Sequence, residues 1–385
     1  MRRRVRNLNS PSQQVVAVAF LVVGCFLFGK TTGASAETAR ETELQNILAE
    51  FLAENEVAPG VIAHVECPSL GLHWSGVAGT IAHGSTEPLT ARHTFRIASN
   101  TKTYTAAAVL RLAEQGRLNL DDLLGTHLPA DLRDLLGSDG YDLNVITIRQ
   151  VLSHTSGLCE HAGDPRYAEA ILADPQHRWT AAEQIQACVD WCDPVGAPGE
   201  LYAYSDTGYI LLGGIIERLT GTNLGVAVRN LLAYEVLDLE VTWWEYLEEQ
   251  PAAAGPRAHQ YYGEYDTTDW HASFDLYGGG GIVTDAPELA LFLRKLLRGE
   301  VLQLEATLAA MTGDGTPPYR LGLMCVELAG HLAWGHQGFW NTFAFHVPSL
   351  DLTLSGAILN HHAVNGRELA QRLVAWVAAA SAGQR

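Results

Sequence analysis

Hydrophobic positions spaced three and four residues apart predict a helix near the start of the chain. Within residues 41–55 a single stripe consists of Leu44, Ile47, Leu48, Phe51 and Leu52. Pro59 and Gly60 end this pattern. Residues 61–65 and 72–78 follow, separated by a Pro-Ser-Leu-Gly segment, and we predict that they form a β-hairpin.

A second group of predicted strands lies near the C-terminal end. Alternating hydrophobic and polar positions with short turns between them predict four strands, at residues 319–327, 331–337, 342–347 and 352–360. A last helix is predicted at residues 366–380. Residues 118–273 almost lack the alternation and are predicted to form helices with long connections.

Strands at both ends and helices in the middle predict an α/β (α+β) fold. One antiparallel sheet would be assembled from both ends of the chain, with a helical lobe inserted between them. Residues 284–288, Thr-Asp-Ala-Pro-Glu, are typical of a helix start, with Glu three residues after Asp and Pro in the first turn. The helix that follows, residues 289–297, is expected to cover the sheet.

The composition is that of a globular, acidic protein. The chain has 385 residues, 47% of them hydrophobic, and a formal net charge of −18. An acidic surface disfavours nucleic acid and anionic membranes as partners, since both are bound through Lys and Arg. We therefore predict no nucleic-acid partner.

Residues 1–36 have the features of a secretory signal peptide. Arginines precede an apolar run at residues 15–28, and Ala-Ser-Ala at 34–36 has the spacing of a cleavage site. The run is shorter than the roughly 20 residues that span a membrane. We predict an exported protein, periplasmic or extracellular. Residues 22–25, Val-Val-Gly-Cys, resemble a lipoprotein box, so membrane anchoring through a lipid on Cys25 stays open.

Five cysteines follow the predicted signal peptide, and an odd number leaves at least one outside any intramolecular disulfide. Cys188 and Cys192 are four residues apart in a predicted helix, near the upper limit of disulfide reach. A bond from one of them to Cys159 is an alternative. We favour unpaired, buried thiols.

The segment from Phe95 to Gly116 carries the candidate nucleophile. Ala, Leu, Arg and Glu crowd its second half before Gly116, so a helix is predicted from Ser99 to Gln115. Residues three apart share a helix face, which puts the Lys102 ammonium near the Ser99 hydroxyl. A serine beside a basic group is an activated nucleophile. Ser-x-x-Lys alone arises by chance roughly once in a chain of this length.

Two further motifs support Ser99 as the nucleophile: Tyr204-Ser205-Asp206 and His336-Gln337-Gly338. Together the three resemble the serine β-lactamase and penicillin-binding-protein superfamily, most closely its class C β-lactamase and D-alanyl-D-alanine carboxypeptidase branch. The resemblance covers roughly residues 45–375. It implies a β-lactamase/transpeptidase-like fold in one hydrolase domain, 37–385. An α/β lobe at about 37–98 and 274–385 would face a helical lobe at about 99–273 across the active site.

The resemblance also implies catalytic roles. Ser99 would be the nucleophile. Lys102, whose neutral form burial would favour, would be its base or a positive neighbour of Tyr204. Tyr204 would shuttle the proton between Ser99 and the leaving group. The backbone N–H groups of Ser99 and Phe339 would form the oxyanion hole.

Four residues are predicted to bind substrate. Asp206 stands where Asn is common, and an ionised Asp only accepts hydrogen bonds and adds a charge near the lysine. His336 stands where class C β-lactamases carry Lys. It would be largely neutral at pH 7 unless an acid lies close, and would hold a substrate carboxylate weakly. Gly338 would let a substrate strand approach the sheet edge, and Trp340 with Phe339 would line the pocket.

Other histidines are expected to be structural. His154, in a His-Thr-Ser-Gly stretch, would belong to a turn that braces the lobes. Zinc-binding motifs are absent from the sequence, and His361-His362 has no further ligands nearby, so neither a metal nor a cofactor is predicted. The aromatic loops at residues 254–273 are expected to form the rim of the site.

These observations predict an exported serine hydrolase that forms an acyl-enzyme at Ser99 on D-Ala-D-Ala-type peptides or small esters. A β-lactamase is a second hypothesis, which Asp206 and His336 weaken. A penicillin-binding sensor or scaffold without turnover is a third hypothesis. The intact Ser99, Lys102, Tyr204 and His336 oppose it.

Overall fold

The computed structural model describes residues 31–313 and 318–383. The chain divides into two compact units, residues 1–40 and 41–385. Of the first unit only residues 31–40, the start of a helix, are described. The predicted signal peptide lies outside the described residues apart from residues 31–36, and Cys25 lies outside them too. No helix among the described residues has the length and apolar content that a membrane span requires.

Strands come from both ends of the chain and helices dominate its middle, as the hydrophobic pattern predicts. The strands are β1 (Gly60–Cys67), β2 (Leu72–Gly79), β3 (Phe95–Arg96), β4 (Trp243–Trp244), β5 (Tyr261–Tyr262), β6 (Tyr265–Asp266), β7 (Ile282–Thr284), β8 (Met324–Leu328), β9 (His331–Gly338), β10 (Thr342–Val347) and β11 (Leu352–Ile358). The helices are α1 (Thr31–Ala53), α2 (Thr101–Glu114), α3 (Leu124–His127), α4 (Ala130–Ser138), α5 (Ile148–Leu152), α6 (Pro165–Ala173), α7 (Ala181–Trp191), α8 (Asp206–Thr220), α9 (Leu224–Leu232), α10 (Ala286–Leu297), α11 (Glu305–Thr312) and α12 (Gly366–Ala382).

The main sheet has the strand order β2-β1-β11-β10-β9-β8, and every neighbouring pair is antiparallel. The N-terminal hairpin pairs directly with the C-terminal strands, through β1 and β11. The prediction of one antiparallel sheet built from both ends of the chain is therefore confirmed. Strand β8 begins at Met324 rather than at residue 319. The reason is a turn before it, in which the Arg320 N–H donates to the Leu323 carbonyl.

Helices cover both faces of this sheet. On one face α1 and α12 pack around a core that includes Phe51, Val65 and Leu373. On the other face α10 packs on the strands, next to a second core built largely from α2, α8 and α9. The Asp285 side chain caps α10 by accepting a hydrogen bond from the Glu288 N–H. The predicted helix over the sheet is confirmed and begins three residues earlier than expected.

A small sheet, β3-β7-β4, connects the nucleophile segment to the middle of the chain. Strand β4 lies inside the segment predicted to be a helical lobe, so that prediction is incomplete. With two residues, β4 is too short to give an alternation in the sequence. The buried Arg96 guanidinium strengthens this connection by donating to Glu245, just after β4, and to the carbonyls of Thr267 and Trp270.

Cys159 and Cys192 form a disulfide, with their Cα atoms 6.3 Å apart. The favoured prediction of unpaired thiols is wrong for these two residues, and the alternative of a bond to Cys159 is right. Cys188 is a buried thiol one helical turn before Cys192. These two do not bond to each other. Cys192 follows the end of α7 with an extended backbone, and its Sγ bonds to Cys159 while lying 3.6 Å from the Cys188 carbonyl oxygen.

Candidate active site

Ser99 lies in a tight turn between β3 and α2. The turn includes Ala98, whose φ of +46° is in the left-handed region, and it continues as a 3-10 turn, Ala98–Asn100, before α2 begins. The predicted helix thus starts two residues later than Ser99. The Thr342 hydroxyl donates to the Ile97 carbonyl at 2.9 Å, so strand β10 fixes the turn that presents Ser99.

Gly338 lets strand β9 approach the same turn. A Cβ atom at this position would lie 2.3 Å from the Ile97 carbonyl oxygen and 2.2 Å from Thr342 Oγ1. Gly338 thus allows a close approach of the chain's own backbone, and the approach of a substrate strand at this position stays a prediction. Phe339 and Ser99 border one cavity as a result. The role of their N–H groups as an oxyanion hole stays a prediction.

Lys102 is fully buried, and its ammonium group has three acceptors. Nζ donates to Ser99 Oγ at 3.0 Å and to the Gly279 carbonyl at 2.9 Å, and it forms an ion pair with Asp206. Three acceptors match the three N–H donors of a charged lysine. Burial raises the pKa of the Asp206 carboxyl, but the charge and hydrogen bond of Lys102 outweigh this effect and hold that pKa below its usual value. Asp206 is thus the ion-pair partner of Lys102, and the role of Lys102 as base or positive neighbour stays a prediction.

Tyr204 completes this group. Its side chain interacts with that of Ser99, and Lys102 Nζ lies 4.9 Å from the centre of its ring. Burial, and then the charge of Asp206, raise the pKa of Tyr204 well above its usual value. The phenol is thus protonated at neutral pH. The structure brings Ser99, Lys102 and Tyr204 together as the motifs predict, and their catalytic roles stay predictions.

His154 holds the backbone on both sides of Tyr204. Its Nδ1 accepts from the Ser205 N–H at 3.1 Å, and its carbonyl accepts from the Ala203 N–H at 2.8 Å. Its ring lies 4.3 Å from the Tyr204 ring. Burial, and then the charge of Lys102, lower the pKa of His154 far below its usual value, so the ring is neutral. These contacts agree with the structural role predicted for His154.

His336 is only 1% exposed, and both of its ring nitrogens have protein partners. Nδ1 donates to the Gln337 carbonyl at 2.6 Å, and Nε2 accepts from the Tyr319 hydroxyl at 3.0 Å. Burial, and then the charge of Lys102, lower the pKa of His336 to about 3, so the imidazole is neutral. The predicted contact of His336 with a substrate carboxylate has no support in this geometry, because neither nitrogen is available.

A cavity of about 600 Å³ opens beside Ser99. The lining residues that the sequence predicts are Asp206, Phe339, Trp340 and, from the rim loops, Tyr262 and Trp270. Further side chains of the wall are His161, Tyr167, Ile171, Leu172, Ile210, Phe274 and Leu276. Phe339 is half-exposed, whereas Trp340 is buried. Most of the wall is aromatic or aliphatic, so the cavity suits an apolar group of a ligand.

Two carboxyl groups that the sequence analysis missed lie near Asp206. Glu160 accepts from the backbone N–H groups of Asp206 at 2.6 Å and Ala162 at 2.8 Å, and Asp275 borders the cavity. Burial, and then the charge of Asp206, raise the pKa of Glu160 to about 8 and that of Asp275 to about 7. Both groups therefore hold a proton over part of the neutral pH range. In the sequence, Glu160 stands out only by its position, six residues after His154 in the stretch predicted to brace the lobes.

Comparison with known proteins identifies the family. The Beta-lactamase family profile matches residues 52–375. A D-stereospecific amidohydrolase from a Streptomyces species has a similar structure, with a TM-score of 0.72 and 27% identity over 86% of this chain and 97% of that one. D-amino acid amidase from Ochrobactrum anthropi has a TM-score of 0.76 at 20% identity, over 90% of this chain and all of that one.

A curated relative is similar over a shorter stretch. Protein flp of Staphylococcus aureus is 33% identical over 126 residues, which make up 33% of this chain and 23% of the relative. The chain thus spans about a quarter of that protein's length. The family profile, in contrast, extends from the end of α1 to the middle of α12. The chain belongs to the Beta-lactamase family.

Proposed function

We propose that the protein hydrolyses small amides and esters through an acyl-enzyme on Ser99, with an apolar part of the acyl group in the cavity. One observation carries this proposal: the Ser99 hydroxyl, in contact with Lys102 and Tyr204, borders a cavity of about 600 Å³ with a mainly apolar wall. Ser99 bonds to the acyl carbon while the amine or alcohol leaves. Water then attacks the acyl-enzyme and releases the acid.

Ser99 must lose its proton during the attack. Asp206 affects whether Lys102 can accept that proton. In the ion pair Lys102 is an ammonium and cannot accept a proton. Asp206 stabilises that charge and thereby opposes formation of the neutral amine. We infer that neutral Lys102 is the base that accepts this proton. Tyr204, which is protonated and interacts with Ser99, gives its proton to the leaving group, and Lys102 then returns a proton to Tyr204.

The wall of the cavity supports a large, apolar acyl side chain. Trp270, Phe274 and Trp340 contribute aromatic surface, and a methyl side chain leaves most of this space unfilled. Two structural relatives are named as a D-stereospecific amidohydrolase and a D-amino acid amidase. We therefore place amides and esters of D-phenylalanine-like amino acids ahead of D-Ala-D-Ala-type peptides as substrates.

Steady-state kinetics on a substrate panel test this function. The panel consists of p-nitrophenyl acetate, both enantiomers of phenylalanine amide, a D-Ala-D-Ala peptide and a chromogenic cephalosporin. We expect turnover of the ester and of the D-amide, and a loss of about a thousandfold or more in Ser99→Ala, because the nucleophile is removed. Activity that persists at the wild-type level in Ser99→Ala contradicts the proposal.

The same assays separate the other two hypotheses. Turnover of the cephalosporin without turnover of the amides identifies a β-lactamase. A burst of p-nitrophenol equal to the enzyme concentration, followed by no further release, identifies a sensor that acylates without deacylating. Either result replaces the proposed amide and ester hydrolase.

We also propose that the protein is exported. The Cys159–Cys192 disulfide supports this location, because disulfides persist in oxidising compartments and are rare in the cytosol. Fractionation of expressing cells tests it. Recovery of the full-length chain, with an intact leader, only from the cytosol contradicts export.

A further inference from the structure

Three side chains that bind metal ions in proteins meet on the β1–β2 hairpin. His64 and Glu66 are two residues apart in β1 and therefore share one face of the strand. His73 in β2 is the register partner of Glu66. One ligand atom from each of the three residues lies within 4.8 Å of the others. The sequence analysis found no metal motif because strand register, and not a short sequence spacing, brings these residues together.

His64 is already oriented as a metal ligand. The residue is 1% exposed, and its Nδ1 lies 2.7 Å from the Ser75 hydroxyl. Among the described residues no hydrogen bond involves its other ring nitrogen. When Nδ1 donates to Ser75, the tautomer is fixed and Nε2 carries the lone pair that a metal needs. The ring of His73 lies 4.9 Å from that of His64 and is exposed to solvent, which gives an ion access to the pair.

The charges around the three residues favour a cation. Arg294 of α10 lies over the sheet here, with Nε 2.9 Å from Glu66 Oε1 and Nη2 2.9 Å from Asp351 Oδ1. Two carboxylates thus face one guanidinium, which leaves a net negative charge beside the two imidazoles. Arg294 occupies one oxygen of Glu66 and orients the carboxylate, and the second oxygen remains for an ion.

We propose that the hairpin binds one divalent transition-metal ion of the zinc type through His64, Glu66 and His73, with water as the fourth ligand. Two imidazoles and one carboxylate are typical zinc ligands, whereas magnesium and calcium prefer oxygen ligands alone. Ligand atoms around tetrahedral zinc are about 3.4 Å apart, given bond lengths of about 2.1 Å. His73 and Glu66 must therefore move toward His64 by about 1 Å, which exposed and half-buried side chains allow.

The proposed site is separate from the cavity beside Ser99, since none of its three residues borders that cavity. Strand β2 forms one edge of the main sheet, so an ion held between β1 and β2 would secure this edge. Because binding to the folded state alone stabilises a protein, the ion should raise Tm. Hydrolysis at Ser99 should not depend on it.

Zinc titration of the untagged, metal-free chain tests the proposal. Competition with a chromophoric chelator is expected to give one ion per chain with a micromolar Kd, and a hundredfold excess over Kd should raise Tm by a few degrees. His73→Ala should weaken binding at least about tenfold. The matched control is His331→Ala, because His331 belongs to β9 of the same sheet and its Nδ1 lies 2.8 Å from the Ser349 hydroxyl, outside the proposed site.

Two results would overturn the site: a Kd above about 100 μM for the wild type, or a His73→Ala variant that binds zinc as the wild type does. His73 is exposed, so its substitution leaves the fold intact, and circular dichroism verifies this. Magnesium should give no shift in Tm. Hydrolysis of p-nitrophenyl acetate by His73→Ala should equal that of the wild type, and a loss of this activity would contradict the separation of the two sites.

Discussion

At the scale of single residues, Asp206 sets the charges of the active site. It forms an ion pair with Lys102, and its charge is the second cause, after burial, of the raised pKa values of Glu160 and Asp275. An asparagine at this position would remove both effects at once. Asp206 therefore couples its ion pair with Lys102 to the protonation of Glu160 and Asp275, for which no catalytic role is predicted.

Asp206→Asn is expected to move the acid limb of the kcat/KM profile to lower pH, because the variant lacks the carboxylate that forms an ion pair with Lys102. Hydrolysis of p-nitrophenyl acetate from about pH 5 to 9 measures this shift. Glu160→Gln is the control, since it changes a neighbouring carboxyl that is hydrogen-bonded to the Asp206 N–H and not paired with the Lys102 ammonium. An acid limb that does not move in Asp206→Asn would mean that another group is the base.

Gly338→Ala is expected to lower the free energy of unfolding by about 2–4 kcal/mol, because its Cβ would overlap the Ile97 carbonyl and force β9 away from the Ser99 turn. Activity should fall as Phe339 moves with β9. Gly214→Ala is the matched control, since nothing lies within 4 Å of a Cβ in that helical position, and it should change stability by about 1 kcal/mol or less. Denaturant unfolding compares them, and equal stabilities would contradict the overlap.

At the scale of elements, the Cys159–Cys192 disulfide joins the end of α7 to the stretch that carries Glu160. The Ser205 hydroxyl donates to the Cys159 carbonyl at 2.8 Å, directly before α8 begins at Asp206. The disulfide thus secures a backbone that is hydrogen-bonded to the first turn of the helix bearing Asp206. Its contribution reaches the active site through these backbone contacts.

Cys192→Ser is expected to cost roughly 3 kcal/mol of stability, because the disulfide closes a loop of 33 residues in the unfolded chain. A decrease in kcat should accompany this loss, because the backbone at Glu160 is no longer held by the disulfide. Unfolding of the wild type with and without a reducing agent provides the second measurement. The reduced wild type should resemble the variant, and the variant should be insensitive to reduction. A reduced wild type as stable as the oxidised one would contradict the prediction.

At the scale of the whole molecule, buried carboxyl groups make stability depend on pH. The pKa values of Asp275 and Glu160, about 7 and about 8 in the folded protein, lie above the ordinary values of 3.8 and 4.5. A raised pKa means that the folded state binds more protons than the unfolded state. The stability that such a group contributes is therefore complete below its ordinary pKa and is lost as pH rises through its pKa in the folded protein. Between about pH 4 and 8 these two groups therefore destabilise the fold progressively.

Asp275→Asn should flatten this dependence, because the variant has no proton to lose at that position. We expect the fall in the free energy of unfolding between about pH 5 and 8 to be smaller in the variant, by on the order of 2 kcal/mol. Urea unfolding at several pH values measures it. Buried histidines, whose pKa values are lowered, act in the opposite direction below about pH 6 and are common to both proteins. An identical slope in both would contradict the raised pKa of Asp275.

The parts that sequence could predict are those that depend on local spacing. The proximity of Ser99 and Lys102 follows from three residues of helical rise, and the hairpin of β1 and β2 follows from its turn. The orientation of His336 depends on Tyr319, which a preceding loop supplies, and the position of Asp275 depends on how two distant segments meet. The partner of Cys159 is equally a matter of long-range packing.

Strand β1 pairs with β11, so Val61 faces Ile358 across nearly the whole length of the chain. Such a contact order makes folding slow, because the entropy of closing a very large loop is lost before the pairing is gained. During synthesis the hairpin of β1 and β2 must wait, with one edge unsatisfied, until the last strands have left the ribosome. Until then the nascent chain exposes this unpaired strand edge, which chaperones can bind and through which the chain can aggregate.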